Sequence, residues 1–540
     1  MPQMFLFIYV VLCFLIVGLV NTFILKNRKP PVNKKTSIKD ADTKPAKEVK
    51  LGKILFVLMF GMFIAILNQT VINVLLPLIM TDFSISTSTA QWLTTGFMLV
   101  NGILIPLSAF LIARFGYRKL FIFGMISFTF GSLICALSGN FTLMMIGRCI
   151  QAIGAGVLMP LGTNVFMNAF PPEKRGTAMG TMGIAMILAP AIGPTLSGWI
   201  AENYQWNIMF YGMFILGIIS LLFAFAWFHP KSERSVASFD LQSIIYSSLG
   251  FGGLLYGFSE AGNDGWDSPS VLITLILGII FLIFFVIRQF KLKEPLLELR
   301  VFKFNIYTLT LVINAIVTMA LFGGMLLLPV YLQSIRGFTP LQSGLLLLPG
   351  ALIMGLMGPI AGKIFDKYGV RVLAITGLVI TTYATYEFTK LTGQTPYKTI
   401  LGIYMLRSFG MSLLMMPIMT AGLNQLPAKL IAHGNAATNT IRQVAGSIGT
   451  ALLVTVMTNQ TTNHLSNFTN NFSKTDSFLM NDLSQVGQSG MVSAYTEAAK
   501  TATINGINDA FLVATLFTVV ALFLAFFLNK PKTQNKTETK

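Results

Sequence analysis

Residues 106–118 read PLSAFLIARFGYR, and residues 359–371 read PIAGKIFDKYGVR. Each stretch joins the end of an apolar run to a short basic turn that contains a glycine. Two further features recur in the same order, because Arg148 and Arg407 each lie near the start of a later apolar run and each precedes Gly-rich sequence. Self-similarity of this kind indicates a duplicated unit, and parallel six-helix repeats are typical of transporters. The sequence therefore predicts two six-helix halves.

The composition excludes a soluble protein. Of the 540 residues, 54% are hydrophobic and 11% are charged, whereas a soluble chain needs about a quarter of its residues charged. A helix needs about 20 apolar residues to cross a bilayer, and apolar runs this long must be helices rather than barrel strands. Fifteen such runs occur, at 4–25, 54–80, 90–113, 119–138, 141–166, 178–200, 207–228, 241–258, 270–288, 306–332, 341–363, 372–391, 399–422, 437–458 and 509–528. We predict an all-α membrane protein.

The order of these runs divides the chain into parts. The helices at 241–258 and 270–288 interrupt the repeat, so we interpret them as two inserted central helices. The run 4–25 lacks the basic start of a signal peptide, so we interpret it as an extra N-terminal anchor helix. The predicted parts are the anchor helix and a basic cytoplasmic linker at 1–53, the first half at 54–228, the inserted helices and a cytoplasmic linker at 229–303, the second half at 304–528 with a long extracellular loop at 459–508, and a cytoplasmic tail at 529–540.

The distribution of basic residues predicts the orientation. Lysine and arginine collect in the cytoplasmic loops of membrane proteins, and most of the 38 in this chain lie on one side when the linker 26–53 is placed in the cytoplasm. The net charge of +18 therefore reflects topology, and we expect contact with the lipid bilayer but no nucleic-acid partner. We predict a multi-pass protein of the plasma membrane, with the N-terminus outside and the C-terminus in the cytoplasm.

Six motifs in a fixed order carry a family resemblance. They span Leu67–Pro77, Arg114–Lys119, Arg148–Gly156, Ala189–Gly198, Leu328–Gly337 and Gly434–Gln443. From about residue 53 to residue 528, the chain resembles the fourteen-helix drug:proton antiporter branch of the major facilitator superfamily, of the lincomycin- and quaternary-ammonium-resistance type. The resemblance implies export of small amphipathic drugs by alternating access in exchange for protons, without a cofactor. The helix 4–25 lies outside the resemblance.

The resemblance and the repeat assign roles to two groups of residues. In the family, the segment 183–198 is the antiporter motif, a hinge that closes the cavity; its residues here are Gly183, Pro190, Gly193, Pro194 and Gly198. Small residues also permit tight helix packing, which is the alternative interpretation. The basic turns of the repeat are interpreted as the cytoplasmic gate, and their residues are Arg114, Gly116, Arg118, Asp366, Lys367, Gly369 and Arg371.

Charged and amide side chains inside the predicted spans are candidates for the transport pathway. Arg148 and Arg407 lie about 10 Å below the outer surface at 1.5 Å per residue, and a buried cation in lipid is costly enough to indicate function. The alternatives are that each extends to the outer surface or binds neighbouring carbonyl groups. Arg442 lies closer to the cytoplasmic face, where contact with lipid headgroups is the alternative. The amides expected in the same pathway are Asn68, Gln69, Asn73, Gln151 and Gln443.

The chain departs from the resemblance at Asn68 and Ala113, where family members usually have an acid. An amide cannot bind and release a proton near neutral pH. Glu387 is the one carboxylate clearly within a predicted span, and it is either a proton carrier or half of a surface pair with Lys390. Proton coupling is therefore less secure than the resemblance implies. A cavity with arginines and few acids should also favour neutral or anionic amphiphiles over lipophilic cations.

Three functions are compatible with the sequence. The leading hypothesis is a multidrug efflux transporter. The alternatives are a translocase for lipids or lipid precursors, whose anionic headgroups would suit buried arginines, and a non-transporting membrane sensor, which the missing acid at Asn68 permits. We expect neither an enzyme nor a metal site, because His229, His433 and His464 are scattered and no phosphate loop or nucleophile setting accompanies them.

Overall fold

The computed structural model describes residues 51–230, 240–474 and 476–528. The predicted anchor helix 4–25, most of the basic linker and the tail 529–540 lie outside these residues. The described helices are α1 Leu51–Phe83, α2 Thr87–Ala136, α3 Phe141–Ala169, α4 Arg175–Asn203, α5 Asn207–Trp227, α6 Leu241–Asp264, α7 Pro269–Lys291, α8 Asn305–Val330, α9 Pro340–Tyr368, α10 Val370–Glu387, α11 Tyr397–Ser412, α12 Met415–Leu423, α13 Ile431–Lys474 and α14 Asp476–Ala525.

The helix order confirms the predicted all-α membrane fold. Eleven helical segments in the described residues are long and apolar enough to cross a bilayer, and one of them, Thr89–Ala136, has 48 residues. That length is about twice the 20 residues one crossing requires, and α2 is kinked at Gly116, so it makes two crossings. Another of the eleven segments, Tyr397–Leu423, is formed by α11 and α12 together. With α6 and α10, the arrangement is that of two six-helix halves and an inserted pair.

The internal repeat is confirmed in the backbone of the two basic turns. Gly116 has φ 74° and ψ 165°, and Gly369 has φ 82° and ψ 178°. A positive φ is costly for a residue with a side chain, whereas glycine adopts it freely. Both turns therefore use a glycine to reverse the chain between two helices in the same way.

The two halves meet closely along α4 and α9. A Cβ atom at Gly180 would collide with the carbonyl group of Gly358, and a Cβ atom at Gly362 would collide with that of Gly176. Further along, a Cβ atom at Gly198 would lie 2.9 Å from the backbone nitrogen of Leu341. Small residues let helix backbones approach in this way. The glycines of α4 and α9 thus form one of the seams between the halves.

The inserted helices pack at another seam. The ring of Trp92 on α2 stacks on that of Tyr256 on α6, with 5.5 Å between the ring centroids. At the end of α6, the indole Nε1 of Trp266 donates a 2.8 Å hydrogen bond to Thr455 Oγ1 on α13. Because α2 belongs to the first half and α13 to the second, α6 contacts both halves. The outward side of α7 carries exposed large apolar residues, as expected for a helix facing lipid.

Asp240 anchors the inserted pair. Its carboxylate accepts two hydrogen bonds from Arg288, at 2.9 and 3.1 Å, and one of 3.1 Å from the backbone N–H of Ser243. The hydrogen bonds from Arg288 hold the pKa of Asp240 below its usual value. The pair therefore joins the start of α6 to the end of α7.

The prediction of a long extracellular loop at 459–508 is wrong. α13 continues to Lys474 and α14 begins at Asp476, so the described residues of the segment are helical. The two helices contact each other there, since Asp509 lies 2.9 Å from His464 Nε2 and 3.2 Å from Gln460 Nε2. The Asn, Ser and Thr residues that suggested a loop cost at most about 0.7 kcal/mol each in a helix. Packing between two antiparallel helices offsets that cost.

Candidate functional site

The basic turns lie at one end of the bundle, which we call the basic end. It is formed by the residues 114–119, 170–175, 363–371 and 424–431. The first of these segments is the kink of α2 at Gly116, and at the other three α3, α9 and α12 end and the next helix begins.

Arg148 lies on α3 and is completely buried. Its Nε atom donates to the carbonyl oxygen of Leu93 at 3.2 Å, and its Nη1 atom donates to Gln151 Oε1 at 3.0 Å. The guanidinium carbon lies 4.3 Å from the centroid of the Phe97 ring, as in a cation–π contact. The Nη2 atom is buried and has no hydrogen-bond partner among the described residues. Arg148 therefore points into the protein rather than to the outer surface.

Gln151 links Arg148 to the first helix. Its Oε1 atom also accepts a 3.2 Å hydrogen bond from Asn68 Nδ2, and its Nε2 atom donates a 2.8 Å bond to Ser132 Oγ. All four side chains are buried. The structure thus brings together three predicted pathway residues, and it adds Ser132, which no sequence motif indicated. We call Asn68, Ser132, Arg148 and Gln151 the first-half network.

Arg407 has a comparable position in the second half. Its Nη2 atom donates to the carbonyl oxygen of Ala320 at 3.0 Å, and its Nε atom donates to Thr385 Oγ1 at 3.3 Å. A Cβ atom at Gly324 would lie 2.8 Å from Nη2, so the guanidinium packs against the bare Cα of that glycine. Arg407 therefore binds a carbonyl group of α8, which is one of the alternatives raised by the sequence.

Arg442 differs from the other two arginines. It is half-buried, and among the described residues it has no hydrogen-bond or ion-pair partner. α13 begins at Ile431, six residues before the apolar run suggested, so Arg442 lies about 16 Å along the helix from the basic end. The position of Arg442 closer to the cytoplasmic face than Arg148 and Arg407 stays a prediction.

The remaining amides of the predicted pathway are less informative. Gln69 and Gln443 are half-buried. The side chain of Asn73 lies outside the described residues. The structure therefore gives these three amides no contact that assigns them to a site.

The predicted hinge residues lie on α4, where they contact three helices. A Cβ atom at Gly193 would collide with Thr70 on α1, one at Gly183 would lie 3.0 Å from Met416 on α12, and Gly198 faces Leu341 on α9. Pro190 and Pro194 lie inside the same continuous helix, and Ser197 Oγ donates to the carbonyl oxygen of Gly193 at 2.7 Å. Both tight packing and hinge motion are compatible with this geometry, so the hinge stays a prediction.

Glu387 forms a pair with Lys390. It is the last residue of α10, and its carboxylate accepts a 2.8 Å hydrogen bond from Lys390 Nζ. Relative exposure is 24% for the glutamate side chain and 54% for the lysine side chain. The structure gives Glu387 no contact with Arg148, Arg407 or Arg442. This is the surface pair that the sequence left as the alternative to a proton carrier.

Asp366, from one of the predicted gate turns, joins the two halves at the basic end. Its carboxylate accepts hydrogen bonds from the backbone N–H groups of Gly176 at 2.8 Å and Thr177 at 2.9 Å, and from the hydroxyl of Thr177 at 2.6 Å. These groups lie in the first turn of α4, where N–H groups lack helical partners and favour an anion. A residue of the second half thus caps a helix of the first half.

The corresponding residue of the first turn is Ala113, which cannot act as such a cap. The other residues of the two turns have separate positions. Arg118 donates a 3.4 Å hydrogen bond to the carbonyl oxygen of Phe225, and Lys367 Nζ lies 5.1 Å from the ring centroid of Tyr368. The second basic turn therefore caps a helix of the other half, and its counterpart in the first turn does not.

Two further contacts across the basic end were missed by sequence reasoning. Arg175 Nη1 donates to Asn424 Oδ1 at 3.1 Å, and Asn435 Nδ2 donates to the carbonyl oxygen of Pro160 at 2.8 Å. Asn435 lies within a quoted motif, but the sequence contains no signal for its partner in the other half. We call these two contacts and the Asp366 cap the basic-end contacts.

The comparisons with known proteins agree with the observed fold. The profile of the Major Facilitator Superfamily matches residues 58–450. The chain is 52% identical over 490 residues to the uncharacterized MFS-type transporter YhcA of Bacillus subtilis (strain 168), covering 88% of this chain and 92% of that protein. It is 40% identical over 471 residues to the lincomycin resistance protein LmrB of Listeria monocytogenes, covering 87% of this chain and 95% of that protein.

A solved structure shows the same fold. The crystal structure of the human organic anion transporter MFSD10 (TETRAN) matches with a TM-score of 0.58 and 14% sequence identity, covering 88% of this chain and 99% of that chain. At that identity, the likeness shows the architecture alone.

Proposed function

The chain belongs to the Major Facilitator Superfamily, and we propose that it is a multidrug efflux transporter of the plasma membrane that exports small amphipathic drugs by alternating access. The observation that carries the proposal is the set of basic-end contacts. They close the interface between the halves with a few hydrogen bonds, such as the Asp366–Thr177 pair, that can break and re-form. Buried polar side chains lie deeper between the helices, as expected at the site of a transported molecule.

The basic end is proposed to be cytoplasmic. It carries the lysine and arginine residues that the positive-inside rule places there. The C-terminus is then cytoplasmic, and the predicted helix 4–25 would put the N-terminus outside. The described conformation, closed at the basic end, is accordingly closed toward the cytoplasm.

Exchange for protons is part of the proposal, in line with the family resemblance. The first-half network contains an amide at Asn68 and no carboxylate, so the network itself has no acid to carry the proton. The buried cations Arg148 and Arg407 instead favour neutral or anionic drugs over lipophilic cations. One relative is named a lincomycin resistance protein, which supports drugs as the transported molecules.

The test is a susceptibility panel on a deletion strain, combined with a dye-efflux assay with and without a proton uncoupler. Uncoupler-sensitive export of neutral or anionic drugs would support the proposal. Faster export of the cation ethidium than of neutral or anionic drugs would contradict the charge preference.

A lipid or lipid-precursor translocase is the second candidate. The observation that favours it is that none of Arg148, Arg407 and Arg442 has a carboxylate partner within the described residues. An anionic headgroup could supply that charge. Altered lipid asymmetry in the deletion strain, without any change in drug susceptibility, would favour this function. No change in either would favour the sensor.

A further inference from the structure

Three arginines lie within the spans, and their side chains differ in burial and in hydrogen-bond partners. Arg148 and Arg407 are almost completely buried, and each donates hydrogen bonds to a backbone carbonyl group of a neighbouring helix. These bonds fix the orientation of both side chains. Arg442 is half-buried, and within the described part of the chain no acceptor binds its guanidinium group. An arginine has five N–H donors, and here they are available to a ligand.

The direction in which Arg442 points follows from its helix. Residues three or four apart share a face of a helix, and Asn435, Asn439 and Arg442 follow this spacing. Asn435 Nδ2 binds the carbonyl oxygen of Pro160 on α3 at 2.8 Å, and Asn439 Nδ2 binds Asn435 Oδ1 at 2.8 Å. This polar face of α13 is therefore turned toward the first half. Arg442 lies on it, one turn further from the basic end than Asn439.

The contacts on either side of Arg442 enclose it. Toward the basic end, Asn435 closes the interface with the first half. In the other direction, a Cβ atom at Gly446 would lie 3.3 Å from the ring of Phe322 on α8. Arg442 thus lies within a span, between a contact with the first half and a contact with α8. A half-buried cation without a partner inside a span is costly, and a bound anion would relieve that cost.

We propose that Arg442 binds the anionic group of the transported molecule, so that the preferred substrates are amphiphiles bearing a carboxylate or a phosphate. Both groups match the planar fork of a guanidinium with two parallel hydrogen bonds. The proposal rests on the proposed transport function and adds the substrate class. The anion has two possible sources, a small drug-like acid or the headgroup of a lipid.

Binding to the purified full-length protein in nanodiscs of zwitterionic lipid provides the test. The probes are a fluorescent amphiphilic carboxylate and its neutral primary amide, compared by Kd at one pH. We expect the wild-type protein to bind the carboxylate more tightly than the amide. The substitution Arg442→Gln should raise the Kd of the carboxylate about tenfold, because one charge-assisted contact is lost. It should change the Kd of the amide by less than about twofold. Arg442→Lys should give an intermediate Kd for the carboxylate.

The matched control is Arg336→Gln, which removes an arginine bound to the carbonyl oxygens of Gly393 and Thr395 at 2.9 Å each. It should leave the ratio of the two Kd values unchanged. An unchanged ratio in Arg442→Gln would overturn the proposal, whether both affinities fall or neither does. If phosphatidylglycerol competes with the carboxylate probe and this competition depends on Arg442, the anion is a lipid headgroup. If phosphatidylglycerol does not compete, the anion is a small acid. Binding as expected without export in cells would contradict the transport function alone.

Discussion

The carboxylate of Asp366 accepts hydrogen bonds from both the backbone N–H and the hydroxyl of Thr177, at 2.9 and 2.6 Å, across the boundary between the two halves. A side chain that caps the first turn of a helix typically stabilises it by about 1 kcal/mol. Here the stabilised helix and the cap belong to different halves, which would separate in the proposed alternating-access cycle. The cap therefore stabilises the conformation closed at the basic end.

Replacing this cap should open the basic end. Asp366→Ala removes three hydrogen bonds, so we expect the closed conformation to lose about 1–2 kcal/mol, which is a five- to thirty-fold change in its equilibrium with the open one. The measurement is the rate at which a cysteine introduced at Asn424 reacts with a thiol reagent. Glu173→Gln, which changes an exposed carboxylate at the same end, is the control. Equal labelling rates in both variants would contradict the role of the cap.

Restoring an acid to the first-half network should add a titratable group. Asn68→Asp places a carboxylate next to Gln151 and close to Arg148, whose buried Nη2 atom has no partner among the described residues. We expect drug-driven proton movement in proteoliposomes to rise, because a carboxylate can bind and release a proton and an amide cannot. Asn68→Leu, which cannot titrate, is the matched control. Equal proton fluxes in the two variants would show that the position is not on the proton path.

Neutralising Glu387 should have little effect on proton movement. The residue ends α10 and pairs with Lys390, and both side chains are partly exposed. An exposed pair of this kind contributes about 0–1 kcal/mol. Because the pair is exposed and contributes little, we expect Glu387→Gln to change the drug-driven proton flux by less than about twofold. Loss of proton movement with drug binding intact would contradict the surface role and identify Glu387 as the carrier.

Adding a methyl group at the seam between α4 and α9 should destabilise the protein. Gly180→Ala would place its Cβ against the carbonyl group of Gly358, which is backbone and cannot rotate away. Overpacking of this kind costs about 1–3 kcal/mol, and we expect a lower midpoint of thermal unfolding in detergent together with reduced transport. Gly212→Ala is the control, since no atom lies within 4 Å of its Cβ position. Similar unfolding midpoints for the two variants would argue against close packing at the seam.

The architecture could be predicted because it depends on local sequence. The span lengths and the repeated basic turns are properties of neighbouring residues, and the glycines at 116 and 369 adopt the same positive φ. The first-half network was predicted in part, since Asn68, Arg148 and Gln151 all lie in recognisable motifs. Their partners were not, because contacts between distant helices, such as Gln151 with Ser132, leave no pattern in a single sequence.

The wrong prediction of a loop beyond residue 459 has a physical cause. Hydropathy marks where a helix is apolar, whereas the helix itself extends for as long as packing or capping favours it. α13 therefore begins before its apolar run and ends after it, which makes the segment beyond residue 459 helical. The side chain of Asp366 reaches a helix of the other half, and sequence gives no information about which ends of distant helices meet.

The position of α6 constrains how the halves can move. Its residue Tyr256 stacks on Trp92 of the first half, while Trp266, just beyond the end of the helix, donates one hydrogen bond to Thr455 of the second half. Any tilting that separates α2 from α13 would break one of these two contacts. In the proposed transport cycle, the inserted pair would therefore stay attached to one half and slide against the other, and Trp92 and Trp266 would report which contact is lost.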